Sequence, residues 1–262
     1  MPWTILYIFW ALIGLCIGSY LNVVIYRVPR GMSTAFPPSH CPNCDARIRW
    51  NDNIPVLSYL LLGRKCRNCR QPISPRYMLV ELANMLLWIV CALRFAPESI
   101  PTAVISSIAC SVLLCIAFID LEHMFIPDRF QVLLAALGVA ALVSSFWYPD
   151  GILWWERLIG MAAGGGVLGL IYLAFLWIRK KEGMGLGDVK MVAAAGLLLG
   201  PWNLLIAVFA ASLSASVILI IVQCRQGENQ REYPFAPFIA AGVLIALLFG
   251  QSIQSAYMGL FL

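Results

Sequence analysis

Six residues of this chain have types and spacings that could do chemistry: Asp120, Asp188, Cys41, Cys44, Cys66 and Cys69. Two carboxylates brought within a few ångströms cannot both ionise comfortably. One keeps a proton while the other can take a proton from water, and that division of labour hydrolyses an amide bond. The cysteines read CPNC, then 21 residues, then CRNC. Two such knuckles can set four thiolates tetrahedrally around a structural Zn²⁺, with a separation one residue beyond the usual ribbon window. Two disulfides are the alternative use of the same four residues.

Each acid has a competing structural explanation. Asp128 and Asp188 both precede apolar runs, where Asp caps a helix and suits its dipole. Asp120, in FIDLEHMFIPD, follows its apolar run, where a negative charge opposes the dipole, so capping does not account for it. Before Asp188 the chain reads KKEGMGLGDVK, in which Gly183, Gly185 and Gly187 alternate. Backbone without side chains bends tightly and lets a peptide come close, or forms a hinge. Glu81 sits inside an apolar stretch, and a functional and a structural role are both open to it. Glu122 and His123 read as solvated loop residues, and His40 as a bystander beside an already complete four-sulfur set. Cys16, Cys91, Cys110, Cys115 and Cys224 fall in apolar helices as small hydrophobes.

The elements that must carry these residues are membrane helices. The chain is 61% hydrophobic and 12% charged, with mean hydropathy +0.83, a composition outside that of globular domains in water. Residues 3–26, 99–119, 130–147, 158–178, 191–224 and 233–262 contain no Asp, Glu, Lys or Arg, and 78–95 adds a run with the single acid Glu81. Each is long enough to span a bilayer. Pro201, Trp202 and Asn203 break the longest run and predict a tight turn between two helices, giving about eight transmembrane helices in an all-α polytopic fold. Gly14, Gly18 and Ser19 make a small-residue face for close packing, with Asn22 placed to hydrogen-bond across it. The first run lacks a basic region ahead of it and a small-residue cleavage site, and is expected to be an anchor rather than a removed signal.

Sixteen of the 18 Lys and Arg fall on one side of these spans, and only Arg94 and Arg157 on the other. The basic side is expected to be the cytosol, so the +5 charge is a topology signal and not a nucleic-acid surface. Three regions follow: a first transmembrane helix over 1–27, a cytosolic zinc-binding domain with four cysteine ligands over 28–77, and a transmembrane core over 78–262. A reducing cytosol favours zinc over disulfides for the four cysteines.

Taken together, GSYLNVVIYRVP, NIPVLSYLLLGRKCRNC, ISPRYMLVE, IDLEHMFIPD and GMGLGDVK, in that order, resemble the prepilin leader peptidase and N-methyltransferase family. Tyr20 stands where Phe is common in that family, and Met78 where Pro often follows Arg-Tyr. The resemblance implies a bifunctional inner-membrane aspartic protease with Asp120 and Asp188 as the catalytic pair. It would remove a short basic leader from type IV prepilins or type II secretion pseudopilins at the cytosolic face. It would then methylate the new N-terminus, commonly Phe, with S-adenosylmethionine as donor, and Cys41, Cys44, Cys66 and Cys69 would hold zinc. No dinucleotide-type Gly-rich loop points to a donor site. Other classes consistent with parts of the sequence are a proton-coupled transporter using Asp120, Asp188 and Glu81, and a membrane-tethered zinc module that binds a partner. Neither accounts for both acids on one side together with the Gly-rich segment.

Overall fold

The computed structural model describes residues 3–180, 185–226 and 233–260. Gly183, in the Gly-rich segment, lies outside them, as do Lys181 and Arg231 of the charge count. Among the described residues there is no β-strand beyond isolated bridges, and the main elements are α1 (Trp3–Arg27), α2 (Leu57–Leu61), α3 (Arg76–Phe95), α4 (Ile100–His123), α5 (Asp128–Ser144), α6 (Trp154–Arg179), α7 (Leu186–Gln226) and α8 (Ala236–Met258). Six of these helices are long and apolar enough to cross a membrane. Their outward faces carry large apolar side chains such as Leu170, Leu173, Trp177, Leu205 and Phe209, surface that water would penalise and hydrocarbon accepts.

The chain forms two compact units, Met1–Pro97 and Glu98–Leu262. The polarity change at 77/78 therefore lies inside the first unit, because α3 packs on α1. The reason is the small-residue face of α1. A Cβ added at Gly14 would meet Trp88 Cβ at 2.9 Å, and one at Gly18 would meet the Glu81 Cα at 2.9 Å, so only glycine permits this approach. Asn84 Nδ2 donates to the Gly14 carbonyl at 2.7 Å, and Asn22 Nδ2 donates to the Tyr77 carbonyl at 3.0 Å. These cross-helix bonds engage amides that are almost wholly buried.

In the second unit α4 packs on α5 and α8, while α7 packs on α5, α6 and α8. The expected break near Pro201 is present, but the non-helical residue is Gly200, with φ 71° and ψ 175°. Such a conformation suits glycine alone, and Pro201 starts the next helix, where its missing N–H costs nothing. The chain doubles back there. Gly164 of α6 faces both Val192 and Leu204 within van der Waals reach, although twelve residues of straight helix would separate those two by about 18 Å. Counting the two arms of α7 separately, and α5 with its 17 residues, gives the eight spans the apolar runs suggest. Gly160 and Gly196 meet backbone to backbone, closing α6 onto the first arm.

Candidate active site

Asp120 lies in the last turn of α4 rather than beyond it, because α4 continues to His123 and ends with Met124 in the left-handed conformation. A carboxylate at a helix C-terminus opposes the local dipole. Here it is compensated by another helix: the Ala236 N–H, at the first residue of α8, donates to Asp120 Oδ2 at 3.1 Å. A helix N-terminus is a favourable seat for negative charge.

Asp188 occupies the first turn of α7, and its backbone N–H donates to the Gly185 carbonyl at 3.1 Å. The glycines before it have distinct surroundings. A Cβ at Gly185 would stand 3.5 Å from Asp188 Oδ2, and one at Gly187 would press on Ile126 Cβ at 3.3 Å and Gln131 Nε2 at 3.4 Å. Gly187 thus lets the start of α7 lie against the segment joining α4 to α5. That segment is also held by Lys190, whose Nζ donates to Asp128 Oδ1 at 2.7 Å. Asp128 is therefore an ion-pair partner at the start of α5, with Pro127 in the cap position and no side-chain cap bond.

These contacts set Asp188 against the segment that follows Asp120. Both acids are at least nine-tenths buried, and the charge of Asp120 acts directly on Asp188. Two neighbouring buried carboxyls can share one proton, one acting as acid and the other as base. Glu122 is exposed, while His123 is half-buried with its Nε2 sequestered.

Sequence reading gave Arg157 only a place in the charge count, yet it is the largest fully buried side chain of the described residues. Its Nη2 pairs with Asp150, and its Nη1 donates to the Leu198 carbonyl at 2.5 Å. Gln251 of α8 adds a bond to the Asp150 carbonyl at 2.6 Å. The cluster satisfies a carbonyl freed where α7 breaks and ties the reversal to α6 and α8. An Arg beside Glu156, at the head of the apolar run 158–178 and some forty residues before the Gly-Pro break, was the only available signal.

In the N-terminal unit, Cys41, Cys44, Cys66 and Cys69 converge with all four Sγ atoms within 4.8 Å of one another. The two knuckles are copies. The Asp45 N–H donates to the Cys41 carbonyl and the Arg70 N–H to the Cys66 carbonyl, while the Cys41 and Cys66 N–H groups donate to the carbonyls of Ala46 and Gln71. Asp45 and Arg70 both take positive φ, 53° and 60°. Backbone N–H groups of Cys69 and Asn68 pull the Cys66 thiol down to about 7, toward the thiolate form a metal needs. The Cys41 and Cys69 sulfurs are 3.9 Å apart, close to the edge of about 3.8 Å for a tetrahedron with 2.3 Å Zn–S bonds. The donor set therefore fits a zinc ion, and all four cysteines are free thiols. His40 Nδ1 lies 3.1 Å from the Pro38 carbonyl oxygen, turned to the backbone. Arg67 grips Asp52 through Nε and Nη2 at 2.8 and 2.6 Å, and these bonds hold the Asp52 carboxyl below the usual range.

The fold and site define a polytopic helical membrane protein with paired buried carboxyls and a separate four-thiol cluster. Two family models match it: the bacterial peptidase A24 N-terminal domain over residues 12–95 and the type IV leader peptidase family over residues 107–220. Similar proteins include the prepilin leader peptidase/N-methyltransferase of Aeromonas hydrophila, 35% identical over 96% of this chain and 93% of its own length. Another is that of Dichelobacter nodosus, 34% identical over 95% of this chain and 93% of its own. That of Myxococcus xanthus is 36% identical over 87% of this chain and 68% of its own. No solved structure matches. The chain belongs to the type IV leader peptidase family, a family of membrane aspartic peptidases.

Proposed function

We propose that the chain cleaves the leader from type IV prepilins or type II secretion pseudopilins with Asp120 and Asp188, and then N-methylates the exposed residue using S-adenosylmethionine. The observation that carries the proteolytic reading is a pair of buried carboxyls within electrostatic reach of one another though their helices are remote in sequence, one of them seated on the N-terminus of α8. In the working dyad one carboxyl is ionised and one protonated. The ionised carboxyl takes a proton from water as the water oxygen bonds to the scissile carbonyl carbon. The protonated carboxyl donates to the carbonyl oxygen. The tetrahedral diol then collapses, the C–N bond breaks, and the leaving nitrogen takes up a proton from the dyad.

The segregation of basic residues supports an inner-membrane protein with residues 28–77 and both aspartates facing the cytosol. A basic leader joined to an apolar helix would then present its junction at the bilayer boundary, where Asp120 and Asp188 end or begin their helices. Cys41, Cys44, Cys66 and Cys69 would hold a structural Zn²⁺ that fixes the insert. The methyl-transfer reading rests on the N-methyltransferase names of the relatives.

The test is incubation of the detergent-purified protein with a prepilin. A shortened product is expected from the wild type and none from Asp120→Asn or Asp188→Asn. Undiminished cleavage by both Asn variants would sink the dyad.

A further inference from the structure

A cavity of about 360 Å³ opens in the N-terminal unit between the last turns of α1 and the insert, within the range of roughly 300–1,000 Å³ usual for small-molecule sites. Its chemistry is uneven in an informative way. Arg27 lines it while only 4% exposed. Its guanidinium donates to the Ser33 and Pro38 carbonyls at 3.0 and 3.4 Å, and no carboxylate pairs with it among the described residues. A buried cation without a counter-charge favours an anionic guest.

On the α1 side, Ser19 also lines the cavity, and its hydroxyl bonds to the buried Glu81 carboxylate. Glu81 Oε2 accepts a second bond, at 2.7 Å, from the Val56 N–H. Val56 is β-branched yet holds φ 61° and ψ −50°, a strained conformation of the kind that clusters at ligand sites. It follows Pro55, itself a lining residue. One acid thus fixes a strained turn and sets a carboxyl one hydroxyl behind the wall. At the mouth, the half-exposed Tyr20 bonds through its hydroxyl to Thr34 at 3.1 Å, and Asn53 lines the same cavity with its amide.

A guest that satisfies all of these features carries a carboxylate, a positive centre and a planar polar ring. Resting on the N-methyltransferase reading, we infer that this cavity binds the sulfonium methyl donor: Arg27 takes its carboxylate, Tyr20 and Asn53 its heterocycle, and Ser19 with Glu81 faces its positive sulfur. In the transfer, the neutral N-terminal amine of the cleaved substrate attacks the methyl carbon with its lone pair. The C–S bond breaks, its electrons stay on sulfur as a thioether, and the positive charge passes to nitrogen as an N-methylammonium, which later equilibrates its proton with water.

The experiment is equilibrium binding to the full-length protein in detergent, with radiolabelled S-adenosylmethionine and, separately, neutral S-adenosylhomocysteine, alongside transfer of label to a cleaved prepilin. Asn53→Ala and Tyr20→Leu should each weaken both ligands by about tenfold, as loss of one good contact does. Ala35→Trp, from an exposed lining residue, should abolish binding by filling the cavity. Glu81→Gln should weaken the sulfonium ligand more than the thioether, a difference a merely structural role would not produce. Retention of metal by the four cysteines serves as the folding control. Unchanged binding in Asn53→Ala and Ala35→Trp, in a protein whose wild type binds and transfers methyl, overturns the cavity assignment alone. A wild type that neither binds the donor nor labels the substrate overturns the methyltransferase reading with it.

Discussion

The two units hold reactive side chains by opposite means. In the N-terminal unit the four cysteines come from two copies of a six-residue turn, each held by its own backbone hydrogen bonds. In the C-terminal unit Asp120 and Asp188 come from α4 and α7, and the seat of Asp120 is supplied by α8. Local turns write their chemistry into spacing, whereas the carboxyl pair exists only because helices pack. The first site should thus respond to ligand removal and the second to changes in packing.

The largest expected effect separates chemistry from scaffold. Asp120→Asn or Asp188→Asn should lower the rate of prepilin cleavage by about 10²–10⁴-fold, the usual range for a positioned acid or base. Metal content and thermal unfolding in detergent should stay near wild type. A comparable loss of cleavage from Cys44→Ser alone would erase the contrast between the units.

Metal removal probes the other side. Thiolate ligands must lose their protons to bind, so affinity falls as pH falls. A strong chelator, or acidification far enough for protons to outcompete the metal at the thiolates, should release zinc and raise hydrogen exchange across residues 41–71. Amides of α4 and α8 should keep their protection.

Arg157→Leu comes next. It leaves Asp150 and the Leu198 carbonyl without their buried partner, and breaking a buried pair costs about 3–5 kcal/mol. Denaturant unfolding in detergent should show that loss, and Asp150→Asn in the same chain should recover part of it. If Arg157→Leu alone is neutral, the reversal at Gly200 does not depend on this cluster.

What could be read from sequence divides along the same line. CPNC and CRNC announce their cluster because each turn is complete within a few residues. The spans were legible because lipid demands long apolar runs, and Gly14 and Gly18 because close helix approach tolerates few other residues. Asp120 and Asp188 were legible as acids on the same side of the apolar runs, one closing its helix and the other opening its own, but the Ala236 N–H that seats Asp120 lies 116 residues away and leaves no local mark. Val56 gave no warning at all: nothing in its type favours positive φ, and only the Glu81 carboxylate, from another helix, explains it. Glu81 was open between two roles for the same reason. The break in α7 was read from Pro201, although the residue that turns is Gly200, since proline advertises a helix start as readily as a stop.

Gly18→Ala tests packing in the N-terminal unit. Its new methyl would meet backbone of α3 at Glu81, which cannot swing aside as a side chain end could. Overpacking of this kind costs about 1–3 kcal/mol, to be read as a lower unfolding midpoint in detergent. Because Glu81 also holds Val56, the same change should loosen the turn at 53–56 in hydrogen exchange while the aspartate pair keeps its cleavage rate.

The smallest effect is expected at Lys190 and Asp128, and its smallness is informative. Their 2.7 Å bond joins the start of α7 to the start of α5, two residues on from Asp188. The two side chains are 48% and 75% exposed, so water and salt screen the pair and it should be worth about 0–1 kcal/mol. Packing of Gly187 against Ile126 and Gln131 already fixes the same approach. Lys190→Gln should therefore reduce cleavage by less than about tenfold, and the deficit should shrink further at high ionic strength. Gly187→Val, which wedges the segments apart without touching any charge, should cost far more at every salt concentration. If the ranking is reversed, charge and not packing assembles the two carboxyls, and the C-terminal site is more local than its helices suggest.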